Sequence, residues 1–323
     1  MHYEVTCIGD TLEDVFVEPD LKIRSDKAFL GGKSLTFEFG EKIPLNWVEE
    51  EIGGSACNAA VGFRRLGYKT GIIAMLGEDD PAEKVIKRLK SEGVDTEHLI
   101  IRKDAKTGYS VIFSIDSERT IFVFHGPRDY DKFKISKDLE TDWIYISPLG
   151  NDTDELEARL VSAVSEKGVK LAWNPGSIQI KQGASHFRHL LKCTSVLFIN
   201  REEGIKFLDL GVRPEPREVM RKLRDFGPRI VVMTNGKEGA RAYDGKTFYD
   251  IDAPKNIKRV DSTGAGDSFA VGFLGRLASL DWKEEIAEAD IQDALRWGVR
   301  NASSVLGHIG AQKGLLDRKK ISC

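Results

Sequence analysis

The stretch Val260-Asp261-Ser262-Thr263-Gly264-Ala265-Gly266-Asp267-Ser268-Phe269 sets small residues directly before an acid, at the entrance of an apolar run. Small residues at a helix start leave backbone N–H groups open to an anion, and the helix N-terminus adds positive potential. An aspartate in that first turn stands beside such an anion, or it simply caps and complements the helix end. A second stretch, Ile52-Gly53-Gly54-Ser55-Ala56-Cys57-Asn58-Ala59-Ala60, has paired glycines that let a ligand approach the backbone closely. Asn58 offers a donor and an acceptor together, which suits recognition of a hydroxyl; it equally suits a helix start with a satisfied amide. Two familiar phosphate loops are excluded. GxxxxGK[ST] is absent, and Phe269 fills the place of the third glycine in GxGxxG, which also argues against a dinucleotide oxidoreductase.

The elements that must position these residues alternate. Tyr3–Ile8 reads as a strand ending at Gly9. Ala56, Ala59, Ala60, Phe63 and Leu66 fall at helical spacing from Ser55 and stop at Gly67. A strand over 70–75 and a helix over 81–92 follow, the helix with proline in its first turn. Strands at Trp143–Ile146, Lys170–Trp173, Val196–Ile199 and Ile230–Met233 are separated by helices near 154–167, 202–209 and 215–225. This is the βαβ rhythm of a parallel sheet covered on both faces. Residues 260–280 read as a strand end, a glycine-rich turn and a helix, and a last long helix is expected from about Lys283 to Val305.

Two segments have a different, period-two texture. From Val15 to Ile43 there are short strand-like runs around Gly31-Gly32 and an alternating run Leu35–Phe39. Residues 107–125 alternate around a hairpin turn expected at Asp116-Ser117-Glu118. These segments are expected to pair into one small sheet, a lid. The division that follows is an α/β domain of 1–14, 44–106 and 126–323, with a lid of 15–43 and 107–125.

Composition narrows the classes. The chain has 323 residues, 41% hydrophobic and 31% charged, enough for one large domain with an appendage. A net charge of −3 without long basic clusters argues against a nucleic-acid partner. Cys7, Cys57, Cys193 and Cys323 are far apart with no CxxC pair, and the histidines show no ligand spacing, so a zinc site or disulfide framework is not expected. Scattered thiols fit a reducing cytoplasm. The N-terminus MHYEVTCIGD has no basic region ahead of an apolar one, and no apolar run approaches the roughly 18 residues of a membrane span. A cytoplasmic protein with no membrane partner is expected.

GGSACNAAVGFRRLG and VDSTGAGDSFAVGFL, in this order and at this separation, resemble the N- and C-terminal motifs of the ribokinase-like (PfkB) family of carbohydrate kinases. Smaller matches fill the interval, so the resemblance covers nearly the whole chain. It implies a central, mostly parallel sheet flanked by helices on both faces, with a small β-sheet lid. It implies an ATP-dependent phosphotransferase acting on a hydroxyl of a sugar or sugar derivative, with Mg²⁺ and, in many members, K⁺. Asp267 matches the catalytic aspartate that takes the hydroxyl proton, and Gly264, Ala265 and Gly266 match the anion hole for the transferring phosphoryl group. Asp14 matches the aspartate that binds substrate hydroxyls, with Gly54 and Asn58 as further substrate contacts. Asn200-Arg201-Glu202-Glu203 reads as the NxxE motif, whose Asn200 and Glu203 help organise Mg²⁺ and phosphates. Thr234 and Gly236 match the nucleotide-side turn. Asn301 resembles an asparagine beside the adenine, although the stretch from it to Gly310 is about two residues shorter than the family's. Asp261 resembles a residue near the monovalent-cation site.

Other positions bear on the substrate. Ser55 replaces a lysine common in ribokinase-type members and in those acting on sugar phosphates, which disfavours a second anionic group on the acceptor. Asn174 follows a strand and is either a neighbour of the phosphates or a plain turn residue. Ser177 stands where some members carry an arginine. His125 is either a substrate contact or a structural residue. Arg119 and Arg128 read as surface charges, and the Glu/Lys runs at 81–92 and 283–288 as solvated helix faces. A nucleoside kinase of the same family is the neighbouring reading; a non-catalytic sugar-binding regulatory protein is a reading from another class. A helix N-terminus favours ionised Asp267 and so weakens it as a base, which a loose transition state tolerates. Phe37, Phe39, Phe113, Phe122 and Phe124 would give an open lid an apolar face, and a homodimer through the lid is expected.

Overall fold

The computed structural model describes every residue except 27–32, 116–117, 134, 136–138, 212–213, 281 and 283–285. The Gly31-Gly32 pair, most of the expected hairpin turn and the expected start of the last helix at Lys283 lie outside the described residues.

The chain opens with β1 (His2–Ile8) and leaves at once for β2 (Leu12–Pro19). The short β3 (Arg24–Ser25) and β4 (Lys33–Ser34) pair with each other, and β5 (Leu45–Gly53) returns to α1 (Ser55–Arg65). Then come β6 (Thr70–Gly77), α2 (Asp80–Ser91) and β7 (Leu99–Arg102). The hairpin strands β8 (Gly108–Ile115) and β9 (Glu118–Phe124) precede β10 (Glu140–Ile146). The rhythm continues through α3 (Asp154–Lys167), β11 (Lys170–Trp173), α4 (Ser177–Gln182) and α5 (Arg188–Cys193). It runs on through β12 (Thr194–Asn200), α6 (Arg201–Phe207), α7 (Pro216–Asp225) and β13 (Ile230–Thr234). The antiparallel β14 (Ala240–Tyr243) and β15 (Phe248–Ile251) close one edge, before α8 (Ala265–Leu277), α9 (Glu288–Val305) and α10 (Arg318–Ser322).

Nine strands form the main sheet in the order β15-β14-β13-β12-β11-β10-β1-β6-β7. Strand alternation feeds two cores. Val196, Phe198, Ile230 and Val232 face the layer of α1, α8 and α9, while Leu197, Ile199, Val231 and Met233 face the layer of α3 to α7. Continuous apolar strands of this kind are what a sheet buried on both faces demands. β1 pairs in parallel with β6 on one side and β10 on the other. The winding therefore reverses between β1 and β10, and the crevice beyond the carboxyl ends of such a pair is where α/β sheets bind ligands.

The second sheet, β5-β2-β8-β9, is made from two separate excursions of the chain, joined by the parallel pairing of β2 with β8. Its composition differs from the sequence reading in one respect. Leu35–Phe39 alternates but forms no strand; Phe37 is 60% exposed and Phe39 wholly exposed, so the alternation has no core to face. The third long strand is Leu45–Gly53, read from sequence as part of the main body.

Candidate active site

Asp267 lies in the first turn of α8, which packs on α1, and the packing brings Asn58 to it. Asn58 Nδ2 donates to Asp267 Oδ2 at 3.0 Å. Asn58 Oδ1 accepts from Gln312 Nε2 at 3.2 Å, and Gln312 Oε1 accepts from Arg88 Nε at 3.0 Å. Arginine can only donate, so it fixes which way both amides point and leaves a donor aimed at Asp267. Burial pushes the Asp267 carboxyl up from its ordinary range, while bonds from Asn58 and Ser55 pull the other way. The helix N-terminus alone would have made Asp267 a weak base; desolvation outweighs it and favours proton uptake. Asn58 thus serves Asp267 and Gln312, with little of it left open to a ligand.

Gly264 caps α8 in the left-handed region at φ +72°. A side chain there would strike Ala311, so the close approach of the loop around 310 requires glycine. By helix geometry the N–H groups of Gly266 and Asp267 have no partner in the helix and are free for an anion. Ala265 and Gly266 line a cleft of about 920 Å³ together with Asn200, Thr234 and Gly236. Five basic side chains, Arg119, Arg201, Lys237, Lys255 and Arg259, also line it, against one acid, Glu202. That charge balance suits a polyphosphate, and the volume suits a nucleotide.

Asn200 and Glu203 form a reciprocal capping box on α6: the N–H of Glu203 donates to Asn200 Oδ1, and the N–H of Asn200 to Glu203 Oε2, both at 2.9 Å. The box holds a carboxylate beside the cleft in a fixed pose. An oxygen donor of this sort fits a hard dication such as Mg²⁺, reached through water.

On the acceptor side, Asp14 comes from β2 and is 6% exposed. Its carboxylate fills the space a Gly53 side chain would need. Gly54, at φ +89°, abuts the Asp10 carbonyl in the same way, so the paired glycines admit the lid strand itself. Burial raises the Asp14 carboxyl to about 7; a bond from Ser110 lowers it, Asp261 and Asp267 raise it, and Arg119 lowers it.

Two expectations are corrected, and the surroundings of a third residue are described. Asn301, expected beside the adenine, is wholly buried on α9: its Nδ2 donates to the Ser268 carbonyl at 2.7 Å, and its Oδ1 accepts from Leu316 N–H at 2.9 Å. It ties α9 to α8 and to the C-terminal segment, while its neighbours Ala302 and Ser303 line the cleft. Asn301→Ala is expected to cost about 2 kcal/mol by stranding two buried polar groups, read in urea melts, with the Michaelis constant for nucleotide unchanged. Asp261, expected near a monovalent cation, is surrounded by donors. Oδ1 accepts from the N–H and hydroxyl of Thr263 at 3.0 and 2.8 Å, and Oδ2 from Gly310 N–H at 3.0 Å. Arg119 and Arg128 are not free surface charges: Arg119 reaches the Ser262 hydroxyl, and Arg128 pairs with Asp10 beside His125.

Arg128 lies over Gly150, beyond β10, and Asp10 lies beyond β1, so this pair sits at the crevice where the winding reverses. Sequence reasoning missed it, along with Gln312 and Arg119, because their partners are 118 or more residues away. Asn174 stands beside the Tyr145 hydroxyl.

A buried carboxylate next to open helix N–H groups, facing a cationic cleft, can align a hydroxyl with a nucleotide's terminal phosphate; this is the construction of small-molecule kinases. Residues 22–318 match the model of the pfkB family of carbohydrate kinases, and the chain belongs to that family. It is 28% identical over 278 residues to a 5-dehydro-2-deoxygluconokinase of Geobacillus kaustophilus, covering 79% of this chain and 78% of that one. The fold is that of a Methanocaldococcus jannaschii nucleoside kinase, with TM-score 0.78, 21% identity, and coverage of 98% and 96% of the two chains. It is equally similar to an Arabidopsis thaliana ribokinase solved with ribose and ATP, with TM-score 0.78, 19% identity, and coverage of 100% and 98%. The chain is a sugar or nucleoside kinase of this family.

Proposed function

We propose that the protein transfers the γ-phosphoryl group of ATP to a hydroxyl of a sugar or sugar derivative. The observation that carries this reading is the convergence of Asp267, held by Asn58, with the open N-terminus of α8 at the mouth of the cationic cleft. Asp14 accepts hydrogen bonds from acceptor hydroxyls and sets the sugar across the crevice. Asp267 takes the proton of the attacking hydroxyl, and the N–H groups at 264–267 hold the transferring phosphoryl oxygens. Thr234 and Gly236 face the nucleotide. Glu203, with Asn200, would hold Mg²⁺, which would supply charge neutralisation of the phosphates. The lid shuts out water, which would otherwise accept the phosphoryl group.

The test is ATP consumption with Mg²⁺ across neutral sugars, sugar acids and nucleosides. Turnover on sugars or sugar acids supports the reading; turnover on nucleosides alone would replace it with a nucleoside kinase. Ligand binding with no consumption on any compound would leave a non-catalytic protein.

The raised Asp14 carboxyl gives a pH prediction. The ionised form accepts hydroxyl hydrogens, so kcat/KM for the acceptor is expected to climb about tenfold per pH unit below about 7 and to level above it. Because Asp14, Asp261 and Asp267 interact, the apparent value belongs to the group. Asp14→Asn should flatten this limb at a much lower rate. The stability effect has the opposite sense. A carboxyl raised in the folded state holds its proton there, an advantage present at low pH and lost as pH rises through about 7. Asp14→Asn is therefore expected to melt higher than the parent at pH 8, and a lower melting temperature would contradict this.

On one face the lid exposes Val48, Phe122 and Phe124. A second copy packed against this face would remove them from water; sedimentation of a dimer, converted to monomer by Phe122→Glu, would bear this out. All four cysteines are unpaired, in keeping with a cytoplasmic setting, and no described helix is long and apolar enough to cross a membrane.

A further inference from the structure

The mechanism above leaves Arg119 unused. It stands near the start of β9, in the lid, yet its Nη1 donates to the hydroxyl of Ser262, two residues before Gly264. It lines the same cleft as Ala265 and Gly266. The other four cations of that cleft come from the main domain; Arg119 comes from the lid. Its nearest acid, Asp261 at 3.8 Å, already accepts three hydrogen bonds from Thr263 and Gly310. The side chain is 31% exposed, so it is neither sealed in a salt bridge nor dispersed into solvent.

The lid ties this cation to the acceptor. Asp14 on β2 is opposite Ser110 on β8, and β8 pairs with β9 through Ser114 and Arg119. One hydrogen-bonded sheet thus carries both the residue that meets the acceptor and the guanidinium at the anion hole. The register sets Asp14 and Arg119 on the same face of this sheet, and Arg119 already stands at the anion hole.

We propose that Arg119 is a catalytic residue delivered by the lid, donating through its guanidinium to the γ-phosphoryl oxygens of the bound nucleotide as transfer occurs. This rests on the kinase reading above. In the step, the acceptor oxygen forms a bond to the γ-phosphorus and the bond from that phosphorus to the β–γ bridging oxygen breaks. The hydroxyl proton passes to Asp267 and ADP leaves; Arg119 gives up no proton. A planar fork that matches phosphate oxygens suits the charge spread over the equatorial oxygens of a loose transition state.

Two measurements test it. With the acceptor found by the panel, Arg119→Gln should lower kcat by about 10²- to 10³-fold. The acceptor KM should stay within about threefold, and Arg119→Lys should fall between. Millimolar guanidinium should restore part of the rate to Arg119→Ala, which a purely structural arginine would not allow. Separately, without acceptor, calorimetry should show Arg119→Gln weakening a β,γ-imido ATP analogue about tenfold while ADP binds as in the parent. A kcat within threefold of the parent, or equal losses for the analogue and ADP, overturns the proposal. If the parent consumes no ATP with any acceptor, the kinase reading fails, and the analogue-against-ADP comparison still decides Arg119.

Discussion

Asp267→Asn is expected to lower kcat by about 10³-fold while leaving the protein at least as stable as before. The two halves of this expectation come from one feature. Asp267 is a buried carboxylate whose proton affinity is raised by desolvation. That makes it a stronger base than an exposed carboxylate, and it also makes its ionised form a burden on the fold. Asparagine has nearly the same shape and can turn its carbonyl toward Asn58 Nδ2, so the chain from Arg88 through Gln312 and Asn58 survives. The change removes proton acceptance and little else. ADP release by a coupled assay and a thermal melt at pH 7.5 check both halves. Turnover above a tenth of the parent rate would take the base role from Asp267, and a melting temperature several degrees lower would show that its charge holds the site together.

Gly264→Ala is expected to cost both rate and stability. At φ +72° a Cβ carries a penalty of roughly 1 to 2 kcal/mol. The new carbon would also stand 2.2 Å from Ala311 Cβ and 2.8 Å from Ala311 Cα. Relief requires the 310–312 loop to withdraw, and that loop holds Gly310 against Asp261 and Gln312 against Asn58. We expect a loss of about 3 kcal/mol in stability and of 10²- to 10³-fold in kcat as the N–H groups of the helix start tilt away. Gly264→Ala combined with Ala311→Gly should recover part of the stability, since it removes the 2.2 Å contact but keeps the 2.8 Å approach to the Cα of residue 311 and the unfavourable φ. A single variant that melts and turns over like the parent would show that the loop is not coupled to the helix start.

The sequence exposes those features whose causes are local. The glycines at 264 and 266, the acid at 267 and the asparagine at 58 stand in short motifs, and the structure brings Asp267 and Asn58 into contact across 209 residues. The strands of the main sheet are legible because double burial makes them apolar throughout. The lid strand Leu45–Gly53 is hidden by its run of glutamates, which face solvent and the basic side chains of Lys84 and Lys313. Asn301 sits on the right helix, but one residue turns a helix by about 100°, which separates a buried tie from a cleft-lining Ala302. Arg119 and Arg128 carry no periodic signal at all, since their meaning depends on tertiary approach.

The place of β1 between β6 and β10 has a consequence for biosynthesis. As the nascent chain leaves the ribosome, β1 can find β6 early, but its other neighbour is encoded much later. Roughly 60 residues separate the end of β6 from the start of β10, which at about 5–20 residues per second is roughly 3 to 12 s of elongation. Throughout that interval a strand that the finished sheet pairs on both sides is an open edge, apolar and unpaired on its β10 side. The first excursion of the lid emerges before that window opens and must wait for β8 before its parallel partner exists. An interior strand of the enzyme is therefore exposed to wrong partners at birth, and a segment that the mature protein buries is one that calls for a chaperone's cover until β10 arrives.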